Sequence, residues 1–164
     1  MMTRTEMNIL DTLTEDARTP VERIAIMTGK TPEEIQQTIE RLEEQKIILK
    51  YPAMINWEKV DVDEVEALIE VRVTPQRDEG FDAIAEKIYR FEEVSSVYLM
   101  SGGYDLMVML KARTLKQLAL FVAEKLSTIE NVLSTATHFV LKKYKQQGVI
   151  FEDAPQDLRL KVTP

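Results

Sequence analysis

Along the first fifty residues the apolar positions fall at helical spacing. Ile9, Leu10 and Leu13 line one face of a first helix of about three turns. Arg18-Thr19-Pro20 breaks it. Pro20 suits the first position of a second helix with Thr19 as its N-cap. That helix turns Ile24 and Ala25 inward and ends near Thr28-Gly29, where glycine permits a positive φ. Thr31 is placed to cap a third helix, with Pro32 at its first position and Glu34 at the capping-box spacing. Ile35, Ile39 and Leu42 then stripe one side of it. Residues 47–51 and 54–57 read as short extended segments.

From residue 65 the period alternates between two types. Residues 65–74 are rich in β-branched side chains and stop at Pro75, which predicts a strand. Phe81, Ile84, Ala85, Ile88 and Tyr89 return to helical spacing. Residues 94–100 and 104–112 read as two strands around Ser101-Gly102-Gly103, a hairpin signal. Thr114 caps a helix carrying Leu115, Leu118, Phe121, Val122 and Leu126, and residues 132–144 read as a last strand. The order is β-α-β-β-α-β, the split ferredoxin-like unit, in which two helices cover one face of a four-stranded antiparallel sheet. The other face is left bare and calls for a partner. The class is therefore α+β, with four segments: a helix-turn-helix unit over 1–52, a connector over 53–64, the ferredoxin-like domain over 65–147 and a tail over 148–164. Apolar Val149, Ile150, Phe151, Leu158, Leu160 and Val162 predict a docked tail, with residues 157–163 as a short strand.

Composition removes whole classes of chemistry. The 164 residues contain no cysteine and a single histidine, His138. Disulfides, thiolate metal sites and cysteine nucleophiles are excluded, and an imidazole-based metal site or Ser-His triad is disfavoured. No nucleophile–base pair, metal cluster or phosphate loop is visible, so neither catalysis nor a cofactor is expected. The pairs Glu43-Glu44 and Glu92-Glu93 read as solvated helix ends. No apolar run reaches the length of a membrane span, and no signal peptide is visible, so a cytoplasmic location is expected. The net charge of −7 argues, taken alone, against nucleic acid as a partner.

Between Val21 and Glu40, Ala25, Gly29 and Ile35 stand at offsets of four and ten. A small residue lets two helices approach, glycine makes the turn and the apolar residue seats the next helix, as in a helix-turn-helix. A helical hairpin with no role on DNA fits that triple as well. A longer series of residues distinguishes them. Ile9-Leu10-Asp11-Thr12-Leu13, Asp16-Ala17-Arg18, residues 35–43 and 47–51, Ser101-Gly102-Gly103-Tyr104-Asp105-Leu106 and residues 131–137 follow in order over residues 6–144. In that series the chain resembles the leucine-responsive regulatory protein/AsnC (feast/famine) family of transcription regulators. The resemblance implies a winged-type helix-turn-helix domain followed by a ferredoxin-like, ACT-like regulatory domain. It further implies double-stranded DNA as partner, a homodimer or octamer, and an amino-acid effector.

The candidate DNA contacts are Arg18, Lys30, Thr31, Gln36, Gln37 and Arg41. Glutamine amides suit bidentate contacts with adenine, and Lys30 and Thr31 at a helix start suit a phosphate. The family pattern places two basic residues where this chain has Gln37 and Thr38, and often a further one at Glu40. Over residues 1–60, eight Lys and Arg stand against eleven Asp and Glu, a net of −3. A ligand-sensing or protein-interaction module with weakened DNA binding is the alternative that this charge supports.

In the family the Ser101-Gly102-Gly103 loop and the last strand of a neighbouring subunit frame an effector pocket. The positions that carry over are Ser101, Gly102, Gly103, Tyr104 and Asp105, with Ser134, Thr135 and Thr137 opposite. Glycines free to turn amides toward an anion, hydroxyls and an acid suit an α-amino acid. The plainer alternative is a hairpin turn in which Asp105 bonds the loop backbone.

Overall fold

A computed structural model describes residues 2–74 and 80–151. The chain divides into two compact units, Met1–Ile55 and Asn56–Pro164.

The first unit holds three helices, α1 (Arg4–Glu15), α2 (Val21–Thr28) and α3 (Pro32–Glu44). Thr3 and Thr31 each cap a helix through a complete capping box, closed by Glu6 and Glu34. These boxes satisfy amides that the first turn leaves without partners. α2 starts one residue later than the sequence predicts: Pro20 is its N-cap, and the Thr19 hydroxyl donates to the Asp16 carbonyl instead of capping. Pro20 presents no side-chain acceptor, so that end goes without a side-chain cap. Gly29 stops α2 at φ 66°, in the left-handed region that glycine adopts without strain. Ile9, Ile24, Ala25, Ile35, Ile39 and Leu42 form the core. After α3 the amides of Ile47 and Ile48 both donate to the Leu42 carbonyl at 2.9 and 3.1 Å. That closes the helix end rather than opening a strand. Residues 47–51 and 54–57 accordingly join no ladder among the described residues, and Trp57 starts a 3-10 turn, Trp57–Lys59.

The second unit follows the order read from the sequence. Its elements are β1 (Val65–Val73), α4 (Gly80–Tyr89), β2 (Val94–Leu99), β3 (Leu106–Ala112), α5 (Leu115–Phe121) with a π-helical turn Val122–Leu126, and β4 (Val132–Phe139). The sheet is antiparallel in the order β2-β3-β1-β4. Alternation along β1 and β3 separates two faces. Ala67, Ile69, Val71, Val73, Leu106, Val108 and Leu110 pack under the helices with Ile84, Ile88, Leu118, Phe121 and Leu126. The opposite face carries Leu68, Met107 and Met109 at its centre, with Leu68 opposite Met109 and His138 in register. Charged residues flank that centre. Glu66, only 8% exposed, is paired with Lys143 and lies 4.0 Å from Lys111. His138 Nε2 lies 3.3 Å from Glu70 Oε1.

β4 ends at Phe139, short of the predicted 144. The Val140 amide makes the last bond to β1, at the Glu66 carbonyl, and β1 itself begins at Val65. Beyond that point no partner strand remains, and Leu141 is 94% exposed. The chain instead closes a small hairpin of β5 (Lys145–Gln146) and β6 (Val149–Ile150). Its turn, Gln147 at φ 47° and Gly148 at φ 86°, has the positive angles of a tight two-residue loop. The tail strand expected over 157–163 lies outside the described residues.

Candidate nucleic-acid interface and effector site

α3 buries Ile35, Ile39 and Leu42 and leaves Glu33, Gln36, Gln37 and Glu40 exposed on its other side. This is the face a recognition helix turns to a groove. Two of the three cations expected to serve it, Arg41 and Lys30, are already engaged. Arg41 Nη2 lies 2.6 Å from Glu6 Oε1 on α1, and Lys30 Nζ lies 3.0 Å from Glu34 Oε1. The Gln36 amide donates to Glu40 Oε1 at 2.8 Å. Thr31 is spent on the helix cap: its hydroxyl accepts from the Glu34 amide and its own amide donates to Glu34 Oε2. Gln37 is exposed, and the Arg18 amide donates to Asp16 Oδ1.

Two of these acids, Glu6 and Glu34, are held on the ionised side. The Thr3 amide and hydroxyl, then Arg41, hold the Glu6 carboxyl below the usual glutamate range. The Thr31 amide, then Lys30, do the same for Glu34. Glu6 is not among the site residues expected from the sequence. Thr3 and Glu6 stand at capping-box spacing, a legible signal for its backbone role. Its pairing with Arg41 bridges 35 positions and exists only once α1 packs on α3.

In the second unit the β2–β3 hairpin closes with the Met100 amide donating to the Asp105 carbonyl at 2.8 Å. Gly102 and Gly103 are exposed, and neither takes a positive φ. A Cβ at either would meet nothing within 4 Å. The glycines therefore leave open space beside the loop without a left-handed backbone. Tyr104 and Asp105 are partly buried. Asp105 Oδ2 accepts from the Val73 amide at 2.9 Å, and the Asp105 amide donates to the Val71 carbonyl at 3.1 Å. This carboxylate ties the hairpin to β1.

β4 pairs with the same stretch of β1: Val71 opposes Thr135 and Arg72 opposes Ser134. The hairpin and the start of β4 therefore share one end of the sheet, on either side of β1. Strand alternation splits the hydroxyls between faces. Ser134 shares the open face with His138, while Thr135 and Thr137 lie on the helix side, where Thr135 Oγ1 is 3.3 Å from Ser127 Oγ. Among the described residues no group of three or more His, Asp or Glu gathers as a metal site, and no helix is long and apolar enough to cross a membrane.

Residues 2–43 match the AsnC-type helix-turn-helix domain, and residues 66–150 match the Lrp/AsnC ligand binding domain. The HTH-type transcriptional regulator YugG of Bacillus subtilis is 50% identical over 164 residues, 99% of each chain. The HTH-type transcriptional regulator LrpA of Pyrococcus horikoshii is 32% identical over 137 residues, 84% of this chain and 94% of its own. Among solved structures, a transcriptional regulator from Neisseria meningitidis in complex with L-Met superposes with a TM-score of 0.71. It is 23% identical, and the match covers 89% of this chain and 94% of that one. The two matched domains stand in the order in which the fold places a helix-turn-helix unit ahead of a βαββαβ sheet, and the chain belongs to the Lrp/AsnC family of DNA-binding transcription regulators.

Proposed function

We propose that this regulator is a cytoplasmic, non-enzymatic protein that reads double-stranded DNA through α3 and responds to an amino-acid effector. The observation that carries the DNA-reading assignment is the α2–Gly29–α3 turn, which buries Ile35 and Ile39 and turns Gln36 and Gln37 outward. Arg18, Lys30, Thr31 and Arg41 supply backbone contacts around them, and Gln36 and Gln37 supply base contacts. With few free cations per subunit, affinity rests on several copies binding together. The open sheet face, with Leu68, Met107 and Met109 at its centre, is the surface for a homodimer, which can build further to an octamer. Ser101, Gly102, Gly103, Tyr104, Asp105, Ser134, Thr135 and Thr137 form the effector region, which a neighbouring copy completes. The L-Met complex of the Neisseria relative supports an amino acid as the effector class. Residues 1–52 are assigned to DNA, 53–64 to the connector, 65–147 to effector binding and dimerisation, and 148–164 to a docking tail.

Gel-shift titration of the full chain on DNA upstream of its own gene, at several salt concentrations, tests the assignment. Affinity well above that for random DNA, falling with salt, is the expected result. Binding that never exceeds the random-DNA level would favour the second reading, a protein-interaction module, which the Glu33, Glu34 and Glu40 side chains on α3 motivate.

A further inference from the structure

The sheet of the second unit ends in two open edges, β2 and β4, with no strand beyond either among the described residues. The Val140 amide bonds the Glu66 carbonyl, and the ladder alternates from there. Ser134, Ala136 and His138 therefore exchange hydrogen bonds with β1, while the amides and carbonyls of Thr135, Thr137 and Phe139 point away from it, toward the open side. Nothing along Val132–Phe139 defends that edge. It holds no proline and no Lys, Arg, Asp or Glu, the residues that usually keep a bare edge from pairing. Its helix-side margin is uncovered too. Phe139 stands in register with the buried Ala67, yet it is 40% exposed.

The chain carries a segment with the pattern of a matching strand. Leu158, Leu160 and Val162 alternate strictly with Arg159, Lys161 and Thr163. The residues before it start from the right place. Lys143 is ion-paired with Glu66 near the start of β1, which holds the chain beside the end of β4. The Phe151 amide donates to the Tyr144 carbonyl at 3.0 Å, and Asn56 Nδ2 donates to the Phe151 carbonyl at 3.5 Å. From there residues 152–156 can span about 17 Å, as far as the chain can reach between Phe139 and Tyr144. A strand entering from that end runs antiparallel to β4. The other edge, β2, lies three strands from β4, about 14 Å away, and would be met parallel, the weaker pairing.

We propose that residues 157–163 add a fifth strand to the open edge of β4 in the same chain, antiparallel, with Leu158 opposite Phe139, Leu160 opposite Thr137 and Val162 opposite Thr135. The placement rests on the docking role assigned to 148–164. In this register the open amides of Thr135, Thr137 and Phe139 gain carbonyl partners. Leu158, Leu160 and Val162 extend the helix-side core past Phe139. Arg159 and Lys161 fall on the opposite face, where Ala136 alone separates Lys161 from Glu70. Basic side chains on the new outer strand also discourage further pairing.

Hydrogen exchange read by mass spectrometry tests this on the full chain and on one ending at Gln156. Peptides covering residues 133–139 should exchange faster in the shortened chain by about tenfold or more, with cooperative melting retained. L160D should match the shortened chain and L160V the full one. The chain has no cysteine of its own, so engineered pairs report cleanly. T137C/L160C and T135C/V162C should form disulfides within one chain, because facing residues that exchange hydrogen bonds stand about 5.5 Å apart. Equal exchange over 133–139 in the full and shortened chains would overturn the placement. Faster exchange only elsewhere would then keep a docking tail at another site, and no change anywhere would remove the docking role as well. Disulfides that form only between chains, or in neither pair, would overturn the pairing within one chain.

Discussion

Arg41 is shared between two demands. It is a cation on α3, the helix proposed to read DNA, and it is held by Glu6 at 2.6 Å. Engaging a phosphate requires giving up that carboxylate. E6Q removes the competing charge while keeping a residue that closes the Thr3 capping box. It should tighten DNA binding severalfold in gel-shift titrations, and R41A should weaken it and flatten the salt slope by about one unit. A contest of this kind is invisible in the order of residues, because Arg41 and Glu6 meet only through helix packing. Tyr51 shows the same limit. Its hydroxyl donates to Glu43 at 2.7 Å, and partial burial, then that acid, push its phenol up to about 12. The folded state favours the neutral phenol, so its contribution holds below the ordinary value near 10 and is lost as pH rises toward 12. An alkaline absorbance titration should show a late phenol that Y51F removes.

At the scale of elements, legibility followed how local each signal was. Helix starts with a side-chain cap were readable to the residue, as at Thr31 and Thr114. The start of α2, with no such cap, slipped by one position. The length of β4 was not readable because it is set by where β1 begins, far earlier in the chain. The π-helical turn was hidden because Leu115, Leu118, Val122 and Leu126 keep helical spacing through it. The hairpin that carries the proposed effector residues was legible, but the splitting of Ser134 from Thr135 and Thr137 needed the register with β1. Caps and core can be weighed against each other in α3. T31A should cost about 1 kcal/mol, the usual loss of a capping hydroxyl. I35A should cost about 2–5 kcal/mol through the cavity left in the first core. The two buried clusters share no residue. Calorimetry should therefore show I35A lowering the transition of the first unit with little change in that of the second.

For the whole molecule, the net charge of −7 tunes DNA binding rather than forbidding it. Eleven acids in residues 1–60 set a repulsive background, and the neutral glutamines on α3, proposed to read bases, do not add to it. The open face of the sheet has a separate consequence. Met107 and Met109 sit side by side along β3, in the middle of the surface assigned to self-association. In a chain without cysteine, thioethers are its only oxidisable sulfur. A sulfoxide there puts a polar oxygen where an apolar partner should pack. Mild peroxide should shift the protein toward smaller assemblies in sedimentation experiments, methionine sulfoxide reductase should restore them, and M107L/M109L should resist. If the proposed face is the seam between two copies, the size of the assembly would then follow the oxidation of these two methionines.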